Sequence, residues 1–193
     1  MELTYELQPG RFSVFAGKHD SILFDSTYNA SPLSVRNTID TVFTIREKLF
    51  PHSEIWVVLG DMRELGDLTE QEHRLLAGYL SQVADKLFLH GQYMREYLAD
   101  ELEKVGFDQE KLFIAKNLKG LNVMIEEELT TPSDSSSHLP LTGESRKFPL
   151  LIFKGSQNTI FLEESVKHFL LHKSDEQFLT RQSKFWEEKK RGV

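Results

Sequence analysis

The chain has no cysteine. Disulfides, thiolate catalysis and Cys-ligated zinc are thereby excluded. It also lacks any long apolar run. The longest, such as Ile55 to Leu59 and Leu150 to Phe153, have the length of a strand and cannot span a bilayer. Met1 to Gly10 carries no basic stretch followed by an apolar one, so a secretory signal is not expected. A cytoplasmic protein without a membrane partner is the expectation. Positive charge is in deficit, with 23 Lys and Arg against 30 Asp and Glu and a net charge of -7. A nucleic-acid partner is therefore not expected either. Two nucleotide-binding strings are missing: neither G-x-x-x-x-G-K-[ST] nor G-x-G-x-x-G occurs. "GKHD" at 17–20 has the lysine without the spacing or the hydroxyl. The chain thus has no recognisable means of its own to cradle a triphosphate. No metal-ligand spacing stands out, and no metal site is expected.

What remains is a soluble-type composition, 39% hydrophobic and 27% charged over 193 residues, enough for one well-packed domain with extensions. Short apolar runs alternate with amphipathic stretches. Ile22 to Phe24, Ile55 to Leu59, Leu87 to Leu89, Leu112 to Ile114 and Leu150 to Phe153 read as strands. Helical spacing follows each: Val35 to Leu49, a helix bearing Leu76, Leu80 and Val83, Met94 to Val105, Leu118 to Leu129, and Thr159 to Leu171. Unbroken apolar strands between helices imply an α/β fold of Rossmann-like type, a mostly parallel sheet covered on both faces. Phe12 to Phe15 precedes it as one antiparallel or edge strand. The main body is expected over 1–173, with a Ser/Thr/Pro-rich loop at 130–147. The charged tail, 174–193, is expected to be a docked helix with Phe178, Leu179, Phe185 and Trp186 as its apolar stripe.

In an open parallel sheet, ligands bind outside the carboxyl ends of the strands. Those ends read "DSTYNASP" (25–32), "GDMRELG" (60–66), "HGQ" (90–92) and "KGSQN" (154–158). In the last, Gly155 permits a tight turn, and Ser156 or Asn158 can cap the following helix. Lys154 beside that helix N-terminus would make an anion site, or simply a solvated lysine. Asp61 can bind a hydroxyl, an amine or a metal, or cap a turn. Asp25 and Asn29 can hold a ribose or an amide, while Ser31 or Ser34 can cap a helix with Pro32 in its first turn. His73 reads as a surface or satisfied histidine.

Three of these strings, in this order, resemble the C-terminal, glutamate ligase-type domain of the Mur ligases, and within the family its D-alanyl-D-alanine-adding branch. The usual strings there are like D-D-S-Y-N-A-N-P, V-L-G-D-M-x-E-L-G and K-G-S-R-x-x-x-L-E. Here they are "DSTYNASP", "VLGDMRELG" and "KGSQNTIFLE". "PGRFSVF" at 9–15 looks like the strand that opens the domain, and the resemblance runs from about residue 8 to 171. It implies one domain of an ATP-dependent acid–amino acid ligase of peptidoglycan precursor synthesis. In that family ATP activates a carboxylate and an incoming amine then forms the amide. The other domains hold the phosphate loop, Mg2+ and the UDP-MurNAc-peptide, so this chain alone is expected to be inactive. Carried over by position, Arg11, Asp25, Tyr28 and Asn29 would face the nucleotide. Asn29, Asp61, Glu64, Lys154, Gly155 and Ser156 would face the incoming D-Ala-D-Ala or a similar amino acid or dipeptide. No residue is assigned a catalytic role. Ser26, Ser31 and Gln157 depart from the usual Asp, Asn and Arg, and losing the arginine removes a bidentate carboxylate partner. A non-catalytic module of this fold, or a ligase of another amide-forming pathway, are the alternatives.

Overall fold

A computed structural model describes residues 8–131, 148–157 and 159–191. Six strands form one sheet: β1 (Ser13–Ala16), β2 (Ile22–Ser26), β3 (Ile55–Gly60), β4 (Lys86–His90), β5 (Leu112–Ala115) and β6 (Leu150–Lys154). Their spatial order is β1-β2-β6-β3-β4-β5. Only β1 is antiparallel, pairing Ser13 with Asp25 through Ala16 with Ile22. The other pairings are parallel.

Strand periodicity builds two cores, one on each face. Ile55, Val57 and Leu59 of β3 share a face with Leu150 and Ile152 of β6. Val35, Ile39 and Val42 of α1 (Pro32–Leu49) cover that face, with Leu76 to Leu80 and Met94 to Leu102. Trp56, Val58, Leu151 and Phe153 point the other way. There they meet Leu121 and Ile125 of one helix and Val166 and Phe169 of another. Connections advancing from β2 to β5 cross the first face, and the return to β6 crosses the second, as right-handed crossovers require.

The helices are more broken than their spacing suggests. The single helix expected around Leu76–Val83 is two, α2 (Thr69–Leu75) and α3 (Ala77–Val83), meeting at Leu76. The next begins as a wide turn, Met94–Ala99, before tightening into α4 (Asp100–Lys104). α5 spans Leu118–Thr130. The helix expected over Thr159–Leu171 is a correction: α6 is only Glu163–Phe169. Thr159 and Phe161 have φ of 66° and 48°, outside the helical region. Ile160 and Leu162, read as helical, are buried from an irregular segment instead. The tail is likewise corrected. It forms a 3-10 turn (Lys173–Phe178) and α7 (Lys184–Lys190), but Phe178 and Phe185 are exposed. Of the expected stripe Leu179 is buried and Trp186 packs edge-on against Phe161, and Arg181 docks beside them. The expected loop at 130–147 lies outside the described residues from 132 onward.

Candidate functional site

Strand order explains why three distant strings meet. β6 lies between β2 and β3, so the segments leaving their carboxyl ends are neighbours. Ser156, 1% exposed, joins all three. Its hydroxyl donates to the Ala30 carbonyl (3.2 Å) and accepts from the Arg63 N–H (2.8 Å), and its N–H donates to the Asp61 carbonyl (3.2 Å). Arg63 also donates to the Thr159 hydroxyl. With α6 starting at Glu163, Ser156 cannot be its cap, and Asn158 lies outside the described residues. The expected anion site at a helix N-terminus beside Lys154 is therefore not built there. Gly155 is closely packed: a Cβ on it would sit 2.9 Å from Leu162 Cδ1 and 3.1 Å from Ile160 Cγ2, so those side chains would have to shift.

The first string ends β2 and starts α1. Ser31 is the N-cap, its hydroxyl accepting from the Ser34 N–H (3.4 Å) while Ser34 Oγ accepts from the Ser31 N–H (2.9 Å). Pro32 follows as the first helical residue. Both capping readings are realised together. Strand parity then separates Asp25 from Ser26. Ser26 pairs in register with Lys154, and both lie on the α1 side. Asp25 turns to the opposite face and is fully buried. Its Oδ1 accepts from the Thr27 N–H (3.0 Å) and hydroxyl (2.6 Å). Its Oδ2 has no partner among the described residues. Burial pushes the Asp25 carboxyl above its ordinary range, against the pull of the Thr27 bonds.

A cleft of about 410 Å³ opens on the α1 side. Arg11, Tyr28, Asn29 and Lys154 line it, as do Ser26, Ser31, Ser34 and Asn37. The Arg11 guanidinium lies 4.2 Å from the Tyr28 ring centroid. Lys154 is 3% exposed and donates to the carbonyls of Ser26 (3.2 Å) and Asn29. Burial lowers its pKa to about 8, with Asp25 opposing that shift and Arg11 adding to it. Lys154 thus fixes the first loop from beneath, with a third N–H left for the cleft. Sequence reasoning took Ser34 only as a helix cap and missed Asn37 on the cleft; both recur at helical spacing after Ser31 and could have been read from that period.

The remaining candidates sit apart. Asp61, 6% exposed, accepts from the N–H groups of Gln92 (3.0 Å) and Met94 (2.9 Å). Its carboxylate caps the turn after β4. Glu64 is exposed at a φ of 65°, away from that cleft wall. His73 is fully buried and satisfied: its Nδ1–H donates to the Thr69 carbonyl (2.6 Å) and Nε2 accepts from the Met62 N–H (3.2 Å). Burial holds it below the usual histidine pKa. It anchors the second loop. Among the described residues no group of three or more His, Cys, Asp or Glu side chains can hold a metal.

Comparison with known proteins bears on this geometry. The profile of the family described as "Mur ligase, glutamate ligase domain" matches residues 10–130. A UDP-N-acetylmuramoyl-tripeptide–D-alanyl-D-alanine ligase of Bacillus subtilis (strain 168) is 28% identical over 149 residues, which cover 77% of this chain and 28% of that protein. Among solved structures, a MurF from Acinetobacter baumannii superposes with a TM-score of 0.60 at 23% identity, over 84% of this chain and 31% of that one. A MurF ligase from Thermotoga maritima in complex with ADP gives 0.55 at 19%, over 85% and 31%. The chain spans under a third of the length of these relatives.

Proposed function

This chain belongs to the Mur ligase family through its glutamate ligase domain, and from that membership we propose that it closes over an ATP-dependent, amide-forming site in peptidoglycan precursor synthesis. The observation that carries the reading is one cleft lined jointly by the first and third strand-end segments, with Arg11, Tyr28, Asn29 and Lys154 on its wall, while Ser156 ties the second segment to the third. ATP supplies the phosphoryl group that activates the acceptor carboxylate. The donors present suit part of such a nucleotide: a stacked guanidinium for phosphate oxygens, and Asn29, Ser34 and Asn37 for hydroxyls. They do not form a complete phosphate cradle. We assign the phosphate loop, Mg2+ and the UDP-MurNAc-peptide to regions of the relatives that this chain does not span. The incoming D-Ala-D-Ala, or a similar amino acid or dipeptide, would lie by Asn29 and the edge formed by Ser156, Gly155 and the second loop, where Glu64 is exposed. Asp25, Asp61 and Ser156 support these loops from within rather than touching ligand first. The cytoplasm, where nucleotide is available, is the proposed location. No helix among the described residues is long and apolar enough to cross a membrane.

An NMR titration of labelled protein with ADP, with D-Ala-D-Ala and with L-Ala-L-Ala tests this. ADP should shift Arg11, Tyr28 and Asn29, and the D-dipeptide should shift Asn29 and Ser156 stereoselectively. Affinities should be weak, because the residues on the cleft wall do not form a complete phosphate cradle. Equal shifts with both dipeptides would redirect the reading to another amide-forming pathway. No shifts at millimolar ligand, together with no ATP-dependent amide formation when a Mur central domain is supplied, would sink it.

A further inference from the structure

The family profile stops at residue 130, yet the first loop is held by a residue of the tail. Arg181 is buried, with 4% of its side chain exposed. Its guanidinium makes a bidentate pair with Glu163, Nε to Oε1 at 2.8 Å and Nη2 to Oε2 at 2.7 Å. The same fork donates to two successive carbonyls, Nη2 to Thr27 (2.7 Å) and Nη1 to Tyr28 (3.1 Å). Lys190 completes the knot, donating to the Arg181 carbonyl (2.9 Å) and pairing with Glu163 (3.1 Å) and Glu164. Two carboxylates face two cations, so no buried charge is left over.

The Tyr28 backbone is thereby fixed at both polar atoms. Its carbonyl is held by Arg181, and its N–H donates to the Gly10 carbonyl at 3.0 Å. Gly10 is itself wedged between loop and tail: at a φ of 73°, a Cβ there would lie 2.9 Å from the Tyr28 nitrogen and 3.1 Å from Thr180 Cγ2. With both ends tied, the Tyr28 backbone is held where its ring lies under Arg11. Arg181 adopts a φ of 55°, a conformation that an arginine keeps only where its surroundings over-determine it.

We propose that the C-terminal segment is a strap for the nucleotide cleft, and that Arg181 is the positioning residue through which it sets the geometry of Tyr28 and Asn29. A lysine cannot replace it, because a single ammonium cannot span a carboxylate and two carbonyls in one plane. As to the ligand, the inference rests on the reading given above.

The test uses the full chain. The double variant Glu163→Gln with Arg181→Gln removes both charges at once, and Arg181→Lys keeps the charge without the fork. Amide hydrogen exchange at Tyr28 and Asn29 is measured without ligand, and ADP affinity by NMR titration. The strap predicts faster exchange confined to 26–31 and the tail, and about tenfold weaker ADP binding in a variant with an otherwise unchanged spectrum. Unchanged exchange and affinity in a folded variant would overturn it. Should both variants fail to fold, the wild type decides. Arg181 Nε–H and the Tyr28 amide must share one protection level, and an Arg181 Nε–H that exchanges far sooner overturns the strap. If wild type itself ignores ADP, the nucleotide reading fails, while the exchange comparison still decides the strap.

Discussion

At the scale of single residues, the crevice is organised by groups that are almost wholly buried. Lys154 gives the most direct experiment. Its pKa of about 8 in the fold stands against 10.5 ordinarily. Between those values the unfolded chain binds the proton and the folded one releases it. Stability from this group therefore rises as pH climbs from about 8 to 10.5, by about 3 kcal/mol across the window. Denaturant melts at several pH values should show that rise in wild type and a flatter profile in Lys154→Met; parallel profiles would refute it. Side-chain direction was partly legible in the sequence. Once β2 is known, period two separates Asp25 from Ser26, yet string matching alone groups them. The buried role of Asp61 was not legible, because its partners, the amides of Gln92 and Met94, come from a strand end 31 and 33 residues away.

At the scale of elements, α1 contributes Ser34, Asn37 and Thr38 to the cleft and owes its start to one reciprocal cap. Replacing Ser31 by alanine should cost about 1 kcal/mol and lower Tm by about 2–4 °C, whereas glycine should cost only a few tenths. Calorimetry of both variants checks this, and an alanine variant as stable as wild type would show that the hydroxyl is not the cap. α1 was legible because Ser31-Pro32 and the spacing of Val35, Ile39 and Val42 agree with one another. α6 was overextended for the opposite reason. Ile160, Phe161 and Leu162 supply apolar side chains to the core, and periodicity cannot tell a buried irregular segment from a helix. Arg181 gave no signal of its hold on the first loop, since the partners there are main-chain carbonyls more than 150 residues away.

At the scale of the molecule, the strands were legible because burial on both faces writes continuous apolar runs. The place of β6 was not, since run composition says nothing about strand order. With β3 and β6 central and β1 at an antiparallel edge, amide exchange should be slowest across Ile55–Gly60 and Leu150–Lys154 and faster across Ser13–Ala16. Mass-spectrometric exchange will show it, and a protected β1 with an open β6 would contradict the topology. The central position of β6 also has a consequence for synthesis. The ribosome makes β2 and β3 early, but the strand that joins them arrives about a hundred residues later. Until residues 150–154 emerge, β2 and β3 lack the strand that pairs with both, and any sheet fragment formed by then has an unpaired edge open to other chains. Completion of the fold waits on one late segment, and that same segment delivers Lys154 and Ser156, so the domain acquires its architecture and its crevice in a single event.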